Sequence, residues 1–422
     1  MKTTNWQTVP LWSVVTETRV TVDPSNLGGQ VVHYSIPAVD ATGTGRVEAT
    51  SSIKSAKLRL QGGEVLVSKL NPRKSRALIV TESPLPIVSS TEFVGLLPGT
   101  RIEPRFLAYF LQSETTRQAL DSQVQSVTRS HQRVAPEDVT HLPIRLPSVN
   151  EQRCIADFLD AETALIDRVL EKRTAMANLV GERRRAVIRE RLSRGRQGSI
   201  GQARVPWLPG VPDSWDTAPL RYIAHIQRGA SPRPIDDPVY FDDEGTHAWV
   251  RIADVTASKK YLTRTTQRLS RLGVSFSVPL RPGELFVSIA ATVGKPIITR
   301  IPCCIHDGFV AVRNPSIDPE LLYYVFLLGD AFKGLGKLGT QLNLNSETVG
   351  SIKIPIPPQA EQAALVRELN ADMEVMDRLE GSLHRQSALL AERRQALITA
   401  AVTGQFDAST ASGRNVTEGV TA

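Results

Sequence analysis

Cysteine is scarce and poorly spaced for chemistry: of 422 residues three are cysteine, with Cys154 alone and Cys303 beside Cys304. No C-x-x-C pair exists to hold zinc or a redox disulfide. An odd, sparse set suits a reducing compartment, so a cytoplasmic location is expected. The N-terminus MKTTNWQTVPLW lacks an apolar signal core. The best apolar run, LLYYVFLLG at 321–329, is far too short to cross a bilayer. There is no G-x-x-x-x-G-K-[ST] loop and no H-E-x-x-H, and the seven histidines are scattered. One literal G-x-G-x-x-G, Gly334 to Gly339, follows an apolar helix and precedes a strand-like segment. That order is the reverse of a dinucleotide site, so it reads as a connection. The expectation is a chain without a catalytic site, binding no cofactor and no metal.

What the chain does have is a repeat. Glu182-Arg183-Arg184 returns as Glu392-Arg393-Arg394, 210 residues later. At that offset 142–192 aligns with 352–402 without a gap. Identical pairs include Ile144/Ile354, Pro147/Pro357, Glu151/Glu361, Gln152/Gln362, Leu159/Leu369, Asp167/Asp377 and Leu179/Leu389. Leu369, Met376, Leu383, Leu390 and Leu397 fall every seventh residue, and Leu159, Ile166, Val180 and Val187 keep the same register. Arg173 breaks the first seam once, and Leu365 and Leu379 add a partial second one. Seven-residue spacing marks a helix whose apolar seam faces another helix, so the two seams are expected to pair. Ser148-x-x-Glu151 is a capping box, and prolines precede the second helix. Gly195 and Gly404 are the stops. Each helix should run about 40 residues, roughly 60 Å. Glu182, Arg183, Arg184 and their copies Glu392, Arg393, Arg394 lie mainly off the seam. They form either a solvated face or a docking surface for a partner.

The segments before each helix are related more weakly. Trp6-Gln-Thr-Val-Pro-Leu11 resembles Trp215-Asp-Thr-Ala-Pro-Leu220, and Gly63-Glu64 with its following strand resembles Gly283-Glu284. IEPRFLAYFL at 102–111 resembles IDPELLYYVF at 317–326, a helix opened by an acidic cap and a proline. Each copy reads as an α+β domain of short strands and a helix. Net charge is +7, which favours an anionic partner. Lys54, Lys57, Arg59, Lys69, Arg73, Lys74 and Arg76 share a stretch with one acid, Glu64. Arg228, Arg233, Arg251, Lys259, Lys260, Arg264, Arg268 and Arg271 do similar work in the second copy. Such clusters neutralise phosphates, and Arg, Lys, Asn or Gln at loop tips can read base edges. The leading candidates are Lys69, Arg73, Lys74 and Arg76 in SKLNPRKSR, and Arg129, His131 and Arg133 in VTRSHQR. To these add Arg228, Arg233, Arg251 and Lys295, with Asn343 and Asn345 in LNLNS.

Four phrases resemble one family. IPIPPQAEQ opening a long heptad helix, ALITAAVTGQFD closing it, VPWLPGVPDSW at 205–215 and LRPGELFVS are similar to the specificity subunit of type I restriction–modification enzymes. The resemblance implies two tandem target-recognition domains of α/β type, separated by two long helices packed as an antiparallel coiled coil with pseudo-twofold symmetry. It divides this chain into recognition domain 1 (1–147), spacer helix 1 (148–195), a linker (196–214), recognition domain 2 (215–354), spacer helix 2 (355–405) and a disordered tail (406–422). Each domain would read half of a split site in double-stranded DNA. The helices would dock two methyltransferase subunits that carry S-adenosylmethionine, and motor-nuclease subunits would join for cleavage. Asn71-Pro72-Arg73 and Asn314-Pro315-Ser316 do not match the Asn/Asp-Pro-Pro-aromatic segment of adenine methyltransferases, in keeping with a non-catalytic subunit. The competing reading is a coiled-coil scaffold that reads no bases.

Overall fold

Residues 6–124, 132–196, 198, 200–290, 293–333, 335 and 344–405 are described by a computed structural model. Arg129, His131, Asn343, the tail 406–422 and most of Gly334–Gly339 lie outside them. Two compact units form, Met1–Thr174 with His384–Ala422, and Ala175–Leu383.

The first unit opens with strands β1 (Gln7–Pro10), β2 (Val15–Thr18), β3 (Thr21–Val22) and β4 (Gln30–Tyr34), then helix α1 (Ile36–Thr42). Strands β5 (Arg46–Ala49), β6 (Lys57–Leu60), β7 (Val65–Ser68), β8 (Ala77–Ile79), β9 (Ile87–Ser89) and β10 (Phe93–Pro98) follow. Helices α2 (Pro104–Gln112), α3 (Glu114–Ser122) and α4 (Pro136–Thr140) lead to β11 (Pro143–Leu146) and the long helix α5 (Val149–Arg194). One sheet has the order β2-β10-β7-β8 and another β3-β6-β9-β4-β5, while β1 pairs with β11 alone.

The second unit repeats this plan. It holds β12 (Asp216–Pro219), β13 (His225–Arg228), β14 (His247–Val250), α6 (Ile252–Ala257), β15 (Tyr261–Leu262) and β16 (Gln267–Leu269). Next come α7 (Arg271–Ser275), β17 (Val278–Leu280), β18 (Leu285–Ser288), β19 (Pro296–Thr299), β20 (Cys303–Ile305) and β21 (Phe309–Arg313). Helices α8 (Pro319–Leu328) and α9 (Ser346–Ser351), strand β22 (Lys353–Ile356) and the long helix α10 (Gln359–Val402) complete the chain. Its sheets run β13-β21-β18-β19-β15 and β16-β14-β20-β17, with β12 on β22. The second order mirrors β5-β4-β9-β6, including one parallel pair in each, β4 with β9 and β14 with β20.

Local chemistry explains the repeated phrases. Glu103 accepts from the Phe106 N–H at 2.8 Å, and Asp318 from that of Glu320 at 2.8 Å. Each acid caps a helix opened by proline, where the missing N–H costs nothing. Glu64 is buried and accepts from the N–H groups of Gln61 and Gly62, both at 2.8 Å. Glu284 does the same for Arg281 at 2.6 Å. The Gly-Glu phrase is therefore a turn closed by a carboxylate, with Gly63 and Gly283 at φ of 83° and 95°. The strands that follow, Val65–Ser68 and Leu285–Ser288, are buried at every residue.

A third repeated element ties each domain to the start of a long helix. Trp6 Nε1 donates to Glu151 at 3.1 Å, and Trp215 Nε1 to Glu361 at 2.9 Å. Gln152 accepts from the Glu103 N–H at 2.8 Å and donates to the carbonyls of Pro147 and Arg101 at 2.9 and 3.0 Å. Gln362 accepts from the Asp318 N–H at 2.8 Å and donates to the Pro357 carbonyl at 2.9 Å. Both glutamines are buried. The Glu-Gln pair at each helix start is thus the clasp between domain and helix. Ser148 Oγ does accept from the Glu151 N–H at 3.3 Å, but the Glu151 carboxylate serves Trp6.

Within each unit the helical segments run antiparallel. In the first, Asp167 meets Arg394 at 3.0 Å and Arg173 donates to Gln386. In the second, Arg184 meets Asp377 at 2.6 Å and Glu380 at 2.9 Å, while Arg191 meets Glu368 at 2.8 Å. Of the nine heptad positions, Leu159, Ile166, Val180, Val187, Leu369, Leu383 and Leu397 are buried, and Met376 and Leu390 half-buried. Leu365 is buried but Leu379 is exposed, so the second seam does not extend to it. The Arg173 interruption is a polar crossing to Gln386.

Two features refine the division into segments. The expected linker is packed over part of its length: Val205, Leu208 and Val211 are buried in the core of the second unit with Trp215. Trp207 Nε1 also donates to the Lys353 carbonyl at 2.9 Å. Apolar side chains between its prolines and glycines give it a face to bury. The compact units, moreover, do not end where the long helices begin. Ile155 and Leu159 join the core of the first domain, and Leu365, Val366 and Leu369 that of the second.

Candidate nucleic-acid interface

In the first unit the hairpin β7–β8 carries the tip Lys69–Arg76. Asn71 and Ser75 both adopt left-handed backbone, at φ of 51° and 46°, and bracket a short turn in which Pro72 is buried while Arg73 and Lys74 are exposed. Non-glycine residues held there are strained and require support from their surroundings. The support is a set of backbone bonds. Lys69 N–H donates to the Glu92 carbonyl at 2.8 Å, Asn71 N–H to that of Gln132 at 2.8 Å, and Val134 N–H to that of Lys69 at 3.2 Å. Arg133 lies along this seam and donates to both Glu92 oxygens, at 3.0 and 2.9 Å. The hydrogen bond to the Glu92 carboxylate raises the Arg133 pKa and fixes where the guanidinium sits. Asn71 Oδ1, Ser75 Oγ and Gln132 Oε1 are buried without a hydrogen-bond partner.

Arg76 differs from its neighbours. It grips Asp40 of α1 at 2.5 and 2.9 Å and the Leu70 carbonyl at 3.1 Å, with 7% of its side chain exposed. Its hydrogen bond holds the Asp40 carboxyl below the usual range. Arg76 braces the hairpin and leaves Lys69, Arg73, Lys74 and Arg133 as the outward cations. Lys57 is also internal, donating to the Ser55 carbonyl at 2.8 Å.

The second unit assembles its cations around the turn between β20 and β21. Arg228 Nε donates to the Asp307 carbonyl at 2.9 Å, Ser231 to Asp307 Oδ1 at 3.1 Å, and Arg233 to Asp307 Oδ2 at 3.4 Å. The adjacent His306 ring packs on Phe309 at 4.5 Å and Trp249 at 5.9 Å, and its Nδ1 accepts from the Gly308 N–H at 2.9 Å. Burial lowers its pKa, Asp307 opposes, and Arg251 adds to the lowering. The neutral ring therefore carries its proton on Nε2. Arg251 is exposed at the start of α6, and Lys295 Nζ donates to the Thr256 carbonyl in the same helix at 3.1 Å. Arg228, Arg233 and Arg251 are thus brought to one turn, with Lys295 against α6. Asn345 is not among them. Its Oδ1 caps α9, accepting from the Thr348 N–H and hydroxyl, both at 2.7 Å. Lys260 is internal as well, held by Glu320 at 2.7 Å.

Sequence reasoning missed the acids. Glu92 and Asp307 sit in the turns that precede β10 and β21, and each holds an arginine. The available signal was positional: both turns come just before an aligned phenylalanine, Phe93 or Phe309.

The Glu-Arg-Arg copies divide by residue. Arg184 and Arg394 turn inward to the repeated Asp377 and Asp167. Glu182, Arg183, Glu392 and Arg393 are exposed, as are Leu179 and Leu389, each at 62%. Among the described residues no acid–histidine–cysteine group could hold a metal, and no helix is long and apolar enough to cross a membrane.

Comparison with known proteins agrees with this architecture. Residues 212–377 match the type I restriction modification DNA specificity domain. The MjaX type I restriction enzyme specificity subunit of Methanocaldococcus jannaschii is 22% identical over 349 residues, covering 79% of this chain and 77% of that one. The StySPI specificity subunit of Salmonella potsdam is 24% identical over 204 residues, 46% of this chain and 44% of that one. A solved structure from work on complex assembly and conformational transition of the type I restriction–modification system shares the fold. Its TM-score is 0.72 at 22% identity, covering 94% of this chain and 97% of that chain. Along most of its length the chain is similar to type I restriction enzyme specificity subunits, and the matched DNA specificity domain, 212–377, lies within the second unit.

Proposed function

We propose that each unit reads one half of a bipartite site in double-stranded DNA. The reading rests on one observation above all: two differently built cationic loop clusters are mounted, one per unit, on the same clasp to a repeated helix. Arg133 and Arg233 are the base-reading side chains, each exposed and paired with a carboxylate of its own unit. Arg73, Lys74 and Arg228 contact phosphate. The exposed Leu-Glu-Arg surfaces, Leu179/Glu182/Arg183 and Leu389/Glu392/Arg393, dock two copies of one methyltransferase subunit. Those subunits carry S-adenosylmethionine, and motor-nuclease subunits join for cleavage. This chain supplies recognition while its partners supply chemistry.

The test is mapping of N6-methyladenine in DNA from cells expressing the chain with its methyltransferase subunit. The wild type should give a split motif. Arg133→Ala should relax one half and Arg233→Ala the other, each by about 1–3 kcal/mol of discrimination at the affected base. Arg73→Ala with Lys74→Ala should weaken binding to all sequences and reduce the salt slope by about one unit for each phosphate that is no longer neutralised. Binding that is salt-sensitive but without sequence preference would favour the scaffold reading instead.

A further inference from the structure

The joints between domain and helix keep one tyrosine bond in both units but differ in charge. The repeat aligns α2 with α8, so that Arg105 corresponds to Glu320 and Tyr109 to Tyr324. It also aligns the starts of α5 and α10, so that Asp157 corresponds to Arg367 and Asp160 to Asn370. In the first unit Arg105 donates to Asp157 and Asp160, both at 2.7 Å, and the Tyr109 hydroxyl donates to Asp160 at 2.7 Å. In the second unit Asn370 Nδ2 donates to Glu320 at 2.9 Å, and the Tyr324 hydroxyl donates to Asn370 Oδ1. Lys260 lies between them, 2.7 Å from Glu320 and 2.6 Å from Asn370, with its ammonium 4.7 Å from the Tyr324 ring. The tyrosine-to-helix bond is kept. The charges around it are exchanged.

We propose that these joints are two mutually exclusive docking surfaces, which fix by charge which recognition domain seats on which helix. The start of α5 presents two carboxylates and accepts a domain helix with a cation at the Arg105 position. The start of α10 presents an amide and, one turn earlier, an arginine, and accepts a domain helix with an anion at the Glu320 position. In the crossed arrangement Glu320 would join Asp157 and Asp160, leaving three carboxylates to share the one ammonium of Lys260, and Arg105 would exchange its two helix carboxylates for the Asn370 amide and the cation of Arg367. Both pairings leave charge unbalanced at the joint, which disfavours binding. The second joint is the stricter one. Its Glu320 and Lys260 side chains are 23% and 15% exposed, against 69% and 42% for Asp157 and Asp160, so solvent screens it less. The inference concerns assembly of the chain and stands whatever bases the loops read.

A charge-exchange cycle in the full chain tests it by hydrogen exchange, with no DNA present. Arg105→Glu alone should speed amide exchange in α2 and the first turns of α5 by about tenfold, and Asp157→Arg with Asp160→Asn should do likewise. Combining all three gives α5 the arginine and amide of α10 opposite an anion, and exchange should return to within about twofold of the wild type. Exchange in the triple variant as fast as in the worse parent would overturn the proposal. A second measurement uses a chain whose residues 6–146 are replaced by a copy of 215–356. Protection at the new joint should form only when α5 also carries Asp157→Arg and Asp160→Asn, and equal protection without them would overturn it.

Discussion

The two units carry two copies of one plan, and each part has diverged to a different degree. Clasp residues are unchanged: Trp6 and Trp215 donate to Glu151 and Glu361, and Gln152 and Gln362 accept from the first N–H of an acidic cap. One crossing pair is unchanged too, since Arg394 meets Asp167 in one unit as Arg184 meets Asp377 in the other. At the cationic loops little is shared. One unit uses a hairpin strained at Asn71 and Ser75, the other a turn gathered on Asp307. A residue whose partner lies on a repeated helix can change only together with that partner. A residue whose partner is solvent or DNA can change alone. Divergence therefore maps which surface of each unit answers to the chain itself and which answers to something outside it.

The largest effect should come from breaking the clasp. Gln152 and Gln362 are buried side chains that make three and two hydrogen bonds to backbone. Replacing either by leucine keeps the volume and strands its backbone partners, at about 1 kcal/mol or more per group. Gln152→Leu should cost about 3 kcal/mol and Gln362→Leu about 2 kcal/mol, read by urea unfolding. Equal losses would mean that the Arg101 carbonyl finds another donor in the variant.

The same comparison explains what could be read in the sequence. The long helices were legible because a heptad seam is a local, periodic signal, and Leu159 to Val187 and Leu369 to Leu397 occupy it. The capped starts of α2 and α8 were legible because acid-proline is a local signal too. The Glu-Arg-Arg phrase was legible only as a phrase. Its second arginine has an assignable role once the equally repeated Asp167 and Asp377 are set across from it, and that is a non-local fact. Charge counting failed for Arg76, Lys57 and Lys260, because nothing in a run of cations says which ones have an internal acceptor. The packed stretch 200–215 was hidden by its prolines and glycines, which signal a loop whether or not the side chains between them are buried.

The crossing pairs offer a smaller test. Arg184 has two acceptors, Asp377 and Glu380, whereas Arg394 has Asp167 alone. These groups are partly solvated, so each contributes modestly. Arg184→Ala should lower stability by about 1 kcal/mol and Arg394→Ala by about half that, measured by denaturant midpoint at fixed salt. Both losses should shrink at high salt, which a purely steric role would not do.

The effect that separates the two joints most cleanly is their response to acid. At equivalent positions stand Arg105, which does not titrate in the acid range, and Glu320, which does. Burial opposes the charge on Glu320, but donors from Lys260, Tyr261 and Asn370 outweigh it and hold its pKa at about 2, against an ordinary 4.5. A carboxylate whose folded value is depressed contributes stability that is present above its unfolded value and is lost as pH falls toward the folded one. The Glu320 contribution should therefore be complete above pH 4.5 and fade as pH approaches 2. Glu320→Gln should be less stable than wild type near neutrality, because Lys260 then meets a neutral amide oxygen in place of a carboxylate. The gap between the two proteins should then narrow steadily below pH 4.5. Other depressed acids, Asp330 in the same unit and Asp40 in the first, titrate identically in both proteins and cancel in the difference. A gap that stays constant down to pH 3 would mean that the Glu320 side chain acts at the joint by its shape and not by its charge.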